Sequence, residues 1–192
     1  MKKTSTILFL LLFAISCSRH EYQKFIPHDY SDVDSIHTDY LVSYSDDSIF
    51  AAGTPCGYKD TNGKIIIPRG KYESCWTDTF RNYAIVWDSA STFSLIVAID
   101  RKERILFDIY LFDNWPDEPS EGLFRVKRNE KVGFANELGQ VVIPCQYQCA
   151  FPFENGIARV AYKCTEYEGD CEHKAPESEE WFFIDKNGKK VK

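Results

Sequence analysis

Gly133-Phe134-Ala135-Asn136-Glu137-Leu138-Gly139-Gln140-Val141-Val142-Ile143-Pro144 is the stretch that decides the fold. An apolar run enters an Asn-x-x-Gly turn, and a second apolar run leaves it and stops at proline. The Asn side chain can bond its own downstream backbone, and Gly can take the left-handed position that closes the turn. The flanking residues are β-branched or aromatic, which suits half-buried strands. Proline cannot donate to a ladder, so Pro144 marks the end of regular pairing. The stretch therefore reads as a β-hairpin.

The same word recurs along the chain. A second copy is Gly57-Tyr58-Lys59-Asp60-Thr61-Asn62-Gly63-Lys64-Ile65-Ile66-Ile67-Pro68, and a truncated one runs from Phe182-Phe183-Ile184-Asp185 to Gly188 and Val191. A degenerate copy, Val97-Ala98-Ile99-Asp100 through Ile105-Leu106-Phe107, lies between them. A second word follows the first: Phe153-Glu154-Asn155-Gly156-Ile157-Ala158-Arg159-Val160 is echoed by Pro119-Ser120-Glu121-Gly122-Leu123-Phe124-Arg125-Val126 and loosely by residues 80–86. Fixed-period self-similarity is the mark of a repeat array, in which each unit buries one face against the next. Helical periodicity is hard to find. Only Ser74–Thr79 and Gln146–Phe151 could hold a helical turn, and neither has ten residues free of breakers. The fold class expected is all-β: tandem antiparallel β-hairpin repeats over residues 41–192, in three to four degenerate units.

These words resemble the WG repeat family, whose unit runs roughly Trp-Gly-Tyr/Phe-Ile-Asp-x-x-Gly-Lys-x-Val-Ile-Pro-x-x-Tyr-Asp-x-Ala and then Phe-x-x-Gly-x-Ala-x-Val. The third unit fits best, from Val132-Gly133-Phe134 through Tyr147 and Ala150 to Val160, and the resemblance extends over about residues 50–192. The Trp-Gly pair itself survives nowhere intact: Gly57 follows Cys56, Gly133 follows Val132, and Trp181 precedes Phe182. A packing role tolerates such exchange, so the aromatic positions are expected in the core. The resemblance implies stacked β-hairpin units of the kind found in secreted and surface proteins of bacteria, mostly without an assigned activity.

The N-terminus points to export. Lys2 and Lys3 precede the apolar run Ile7–Ile15, which is too short for a spanning helix of about 20 residues and fits a secretory signal. Ala14-Ile15-Ser16-Cys17 resembles the lipobox of bacterial lipoproteins, which implies cleavage after residue 16 and acylation of Cys17, with the lipid bilayer as a partner. The competing expectation is ordinary signal cleavage that leaves Cys17 a plain thiol. Ser18, in place of the Asp that retains enteric lipoproteins in the inner membrane, implies by the same resemblance an outer-membrane lipoprotein of the cell envelope. Residues 17–40, polar and carrying His20, His28 and His37, read as the lipidated N-terminus and a solvated tether.

Lys+Arg 23 against Asp+Glu 29 gives a net charge of −6, with no basic run to grip a phosphate backbone. Nucleic-acid binding is therefore not expected. Apart from Cys17 there are six cysteines: Cys56, Cys75, Cys145, Cys149, Cys164 and Cys171. Disulfides are the default in an exported chain. Cys164 and Cys171 bracket six residues at a hairpin end, within the reach of a bridge, and are the pair expected. Cys145 and Cys149 would stand about 13 Å apart on an extended strand, so they bond each other only across a turn, and pairing with Cys56 or Cys75 stays open. Cys164, Cys171 and His173 lack the paired spacing of structural zinc. Glu166, Glu168, Asp170 and Glu172 read as a solvated acidic loop rather than a calcium site. No metal and no cofactor are expected.

Nucleophile elbows, zinc-hydrolase helices and phosphate loops are all absent from the sequence. The chain is not expected to be an enzyme. Two interruptions of the repeat, at residues 113–121 and 164–180, are where insertions in repeat proteins build binding surfaces. Trp115, Asp117, Glu118 and Tyr167 are the candidate binding residues, for an unknown protein or glycan ligand. The alternative is a small envelope-polysaccharide hydrolase using a carboxylate pair drawn from Asp113, Asp117, Glu118 and Glu121.

Overall fold

The computed structural model describes residues 28–45, 54–88, 96–165 and 176–191. A leading strand, β1 (Leu41–Tyr44), precedes four units. The first holds β2 (Cys56–Lys59), β3 (Ile65–Tyr72), β4 (Ser74–Cys75), β5 (Thr79–Phe80) and β6 (Ala84–Trp87). The second holds β7 (Ile96–Ile99), β8 (Ile105–Ile109), β9 (Leu111–Phe112), β10 (Trp115–Pro116) and β11 (Leu123–Arg128). The third holds β12 (Lys131–Asn136), β13 (Val141–Tyr147), β14 (Cys149–Ala150) and β15 (Ile157–Ala161), and the fourth β16 (Phe182–Asp185) and β17 (Lys190–Val191). All pairing is antiparallel and no described residue is helical, so the all-β repeat expectation holds.

One turn builds all four hairpins. Asp60 Oδ1 accepts from the backbone N–H of Asn62 and Lys64 at 2.9 and 2.8 Å. Asp100 does the same for Lys102 and Arg104, Asn136 for Leu138 and Gln140, and Asp185 for Asn187 and Lys189. Gly63, Gly139 and Gly188 take positive φ at the third turn residue. In the degenerate unit Glu103 stands there at φ 60°, and its carboxylate accepts from Tyr72 Oη (3.0 Å) and pairs with Lys71 Nζ (2.6 Å). The strained backbone thus carries a side chain that ties the second unit to the first.

The last strand of each unit pairs with the first strand of the next: β6 with β7, β11 with β12, β15 with β16. The order β13-β12-β11-β8-β7-β6-β4 is the longest sheet. Strand alternation then sends neighbouring residues to different cores. Tyr58, Ile67, Tyr72, Phe80, Val86, Val97 and Ile99 form the first-unit core. Leu106, Phe107, Phe124, Val126 and Ala135 form the middle one, and Phe134, Ile143, Tyr147, Phe153, Val160 and Ile184 the third. The aromatic positions of the repeat word are therefore packing residues in the internal units.

Glycine and proline act together in the first and third units. Val132 pairs with Tyr147 and Phe134 with Ile143, so two residues on β12 face a bulged stretch of β13 that includes Pro144. A Cβ on Gly133 would stand 2.5 Å from Ile143 O and 2.7 Å from Cys145 N. Gly57 faces the same crossing from Ile67 and Arg69. The second unit has Val97 at the glycine position and Asp108 at the proline position, and there Val97 pairs with Asp108 and Ala98 with Phe107 without a bulge. Loss of the glycine and loss of the proline are one structural event.

Two expectations are corrected here. Residues 28–40, read as tether, lie against the body: Ser31 N–H donates to Ile105 O, Tyr30 Oη to Asp108 Oδ2 (2.5 Å), and Arg101 Nη2 to Asp39 O. The side chains of Tyr30, Asp32 and Asp34 meet Asp108, Arg128 and Lys102, contacts that composition alone does not distinguish from solvation. The expected Cys164–Cys171 bridge is replaced by Cys149–Cys164, Cα–Cα 6.2 Å. The reason is register. Cys149 faces Ala161 across β14–β15, which brings Cys164, three residues on, beside it, while the inserted hairpin closes only further out at Thr165 and Glu177. A second disulfide, Cys56–Cys75, joins β2 to β4 at 5.9 Å. Cys17, Tyr167, Cys171 and the signal segment lie outside the described residues.

Cys145 is the remaining described cysteine and carries no disulfide. Burial pushes its thiol up to about 11, so little thiolate forms at neutral pH. Alkylation by iodoacetamide at pH 8 is expected to run ~100-fold slower than for an exposed peptide thiol. Mass spectrometry of the tryptic peptide measures this, and a rate equal to the free thiol would refute the buried placement.

Candidate binding cleft

The insertion in the second unit is a small ribbon. Phe112 faces Trp115 across β9–β10, and Asp113 and Asn114 form its tip at φ 52° and 66°. Both central residues are left-handed, the two-residue turn that matches strand twist, and Asn and Asp tolerate it better than other side chains. Trp115 is 70 % exposed and Phe112 64 %, with Leu111 exposed beside them. The Trp115 ring lies 5.8 Å from that of Trp76, which leaves the end of β4. Under the ribbon is a cleft of about 240 Å³ lined by Tyr83, Ile85, Ile109, Phe124, Arg125 and the Pro116–Pro119 segment.

The floor of the cleft is locked. Arg125 and Asp117 side chains are each 5 % exposed and form a bidentate pair. Asp117 Oδ2 accepts from Arg125 Nε at 3.0 Å and from the Arg125 backbone N–H at 2.8 Å, and Arg125 Nη2 donates to Asp117 Oδ1. Arg125 Nη1 also donates to Ala150 O (3.1 Å). Its guanidinium stacks on Tyr110 at 4.2 Å and Phe112 at 5.5 Å. The ribbon is thus clamped to the sheet by a desolvated ion pair, and burial also raises the Tyr83 hydroxyl above its usual range.

Of the candidate residues, Glu118 lines this cleft and Trp115 stands exposed on the ribbon next to the lining residue Pro116. Asp117 is corrected: it faces inward and holds Arg125 rather than meeting solvent, because an arginine eight residues on returns to it through the sheet. Among the hydrolase carboxylates, Glu121 is taken by Lys186 Nζ (2.9 Å) and by Gly156 N–H. The Lys186 contact holds its carboxyl below the usual range, opposite to what a general acid requires. Trp76, Tyr83, Ile85 and Arg125 were not singled out from sequence. Trp76, Tyr83 and Ile85 come from the first unit, and no local pattern links them to an insertion thirty residues later. Among the described residues no group of three or more His, Cys, Asp or Glu is placed to hold a metal.

Comparison with known proteins agrees with this geometry. The family model for the WG containing repeat matches residues 57–86 and 133–162, the two units that keep both the glycine and the bulging proline. No curated protein and no solved structure matches the chain. That family is generally a non-catalytic repeat module. The two matched copies share one turn and are linked strand to strand through the second unit, so the chain carries the WG containing repeat in its first and third units.

Proposed function

We propose that the chain is a membrane-tethered binding module of the bacterial cell envelope whose ligand is a protein. Acylated Cys17 would supply the anchor, with an outer-membrane location following from the lipobox resemblance. Two or three acyl chains, at about 0.8 kcal/mol per buried methylene, hold where one would not. Replacement of Cys17 by Ala is expected to release the protein from the membrane fraction, and retention there would refute acylation.

The single observation that carries binding is the exposed Trp115 held beside Trp76 on a ribbon clamped from below. A fixed ring loses little conformational freedom on association, which is what makes tryptophan an interface anchor. A protein ligand is favoured over a glycan by the lining of the cleft. Its strongest polar groups, Arg125 and Asp117, are spent on each other, while Ile85, Ile109, Phe124 and two prolines offer apolar surface. Sugar hydroxyls would find few free donors there, whereas an aliphatic or aromatic side chain fills such a space.

Trp115→Ala is expected to weaken capture of envelope proteins by about 30-fold, the effect of losing roughly 2 kcal/mol at an interface anchor, with the circular dichroism spectrum unchanged. Affinity purification with the intact and substituted proteins, beside a glycan array, measures it. Equal recovery of every protein partner, or binding confined to glycans, would overturn the proposal.

A further inference from the structure

The internal repeat supplies its own comparison at Arg159. Arg159 stands third after the glycine of its turn (Gly156-Ile157-Ala158-Arg159), as Arg125 does in Gly122-Leu123-Phe124-Arg125. Both turns have the same geometry, with Asn155-Gly156 and Glu121-Gly122 at positive φ and the flanking residues bonded in both directions. Both guanidinium groups lie on two rings: Arg125 on Tyr110 and Phe112, Arg159 on Phe151 at 4.2 Å and Trp181 at 4.9 Å. The Phe151 and Trp181 rings meet at 59°, with centroids 5.3 Å apart, as the two walls of a corner.

The units differ in what faces the fork. The second unit places Asp117 eight residues before its arginine and closes the site with a carboxylate. The third places Phe151 eight residues before Arg159, so a ring wall occupies that position. Arg159 is exposed, and among the described residues no carboxylate lies within ion-pair distance of it. Ordering a long side chain is a large part of what makes exposed ion pairs weak. Here Phe151, ahead of β15, and Trp181, ahead of β16, have already restricted that side chain, and a planar fork can take a carboxylate through two parallel bonds.

We infer that Arg159, in its aromatic corner, is a receptor for a carboxylate of an acidic peptide, the external counterpart of the Asp117 that the second unit provides for itself. The site shares no residue with the Trp115 cleft, so it stands or falls separately from the function proposed above.

Nuclear magnetic resonance of the full chain tests it, with N-acetyl-aspartate N-methylamide as the probe and the asparagine analogue as the neutral control. The Arg159 Nε–H and the Trp181 indole N–H signals are expected to shift saturably with the aspartate probe. A dissociation constant on the order of millimolar is expected for a single carboxylate, weakening as salt is raised. The asparagine analogue should produce no such shift, and the Trp115 indole should stay still. Arg159→Lys keeps the charge but not the fork, so the Trp181 response should disappear while the rest of the spectrum persists. Equal response to both probes, an undiminished response in R159K, or no response at all would overturn the inference.

Discussion

Gly133→Ala is expected to destabilise the protein by about 3 kcal/mol or more, although it adds one methyl group. The added Cβ would stand 2.5 Å from Ile143 O, 2.7 Å from Cys145 N and 2.8 Å from Cys145 Sγ. Two of these three neighbours are backbone, fixed by pairing on β13, so the clash cannot relax by turning a side chain. Relief requires opening the bulge around Pro144, which also disturbs Phe134, Ile143 and Tyr147 in the third core. Gly63→Ala separates this cause from a general intolerance of side chains. A Cβ there meets nothing within 4 Å, and only the left-handed φ of 87° opposes it, at a cost of about 1 kcal/mol. Urea unfolding of the two variants measures the contrast, and equal midpoints would refute the crossing.

Asp117→Ala is expected to cost about 3–5 kcal/mol, because it leaves the Arg125 guanidinium buried without its counter-charge. The cost should be large even though the pair as a whole adds little to stability, since desolvation offsets most of its attraction. The double variant Asp117→Leu/Arg125→Met, which removes both charges, should recover most of the loss. A double-mutant cycle read from urea midpoints gives the coupling directly. If Asp117→Ala unfolds at the wild-type midpoint, the pair is open to solvent and the ribbon carrying Trp115 is not clamped. That result would also remove the physical basis for a preordered Trp115 in the proposed interface.

The hairpins were legible because each is local. Asp60, Asp100, Asn136 and Asp185 bond amides two and four residues ahead, so a window of a dozen residues contains the whole turn. The glycine of the Trp-Gly pair was legible as a signature but not as a cause. Its partner, the carbonyl of the residue before a proline, lies ten residues on and across a bulge. Sequence distance favours Cys171 as the partner of Cys164, whereas strand register decides which sulfur is near and selects Cys149. The docked segment around Tyr30 was unreadable for the same reason: its partners, Ile105, Asp108 and Arg128, lie more than seventy residues away. Asp117 was recognised as part of an insertion, but whether a carboxylate faces out or in depends on what the sheet brings beneath it, and that was Arg125.

Consecutive units are stitched together strand to strand, and the shared cores depend on it. Cross-strand proton contacts in the folded chain measure this most directly. Contacts pairing Val86 with Val97, Val126 with Gly133, and Ala158 with Ile184 are the expected result. Contacts confined within each separate hairpin, or a helical i to i+3 pattern in any of these segments, would contradict it.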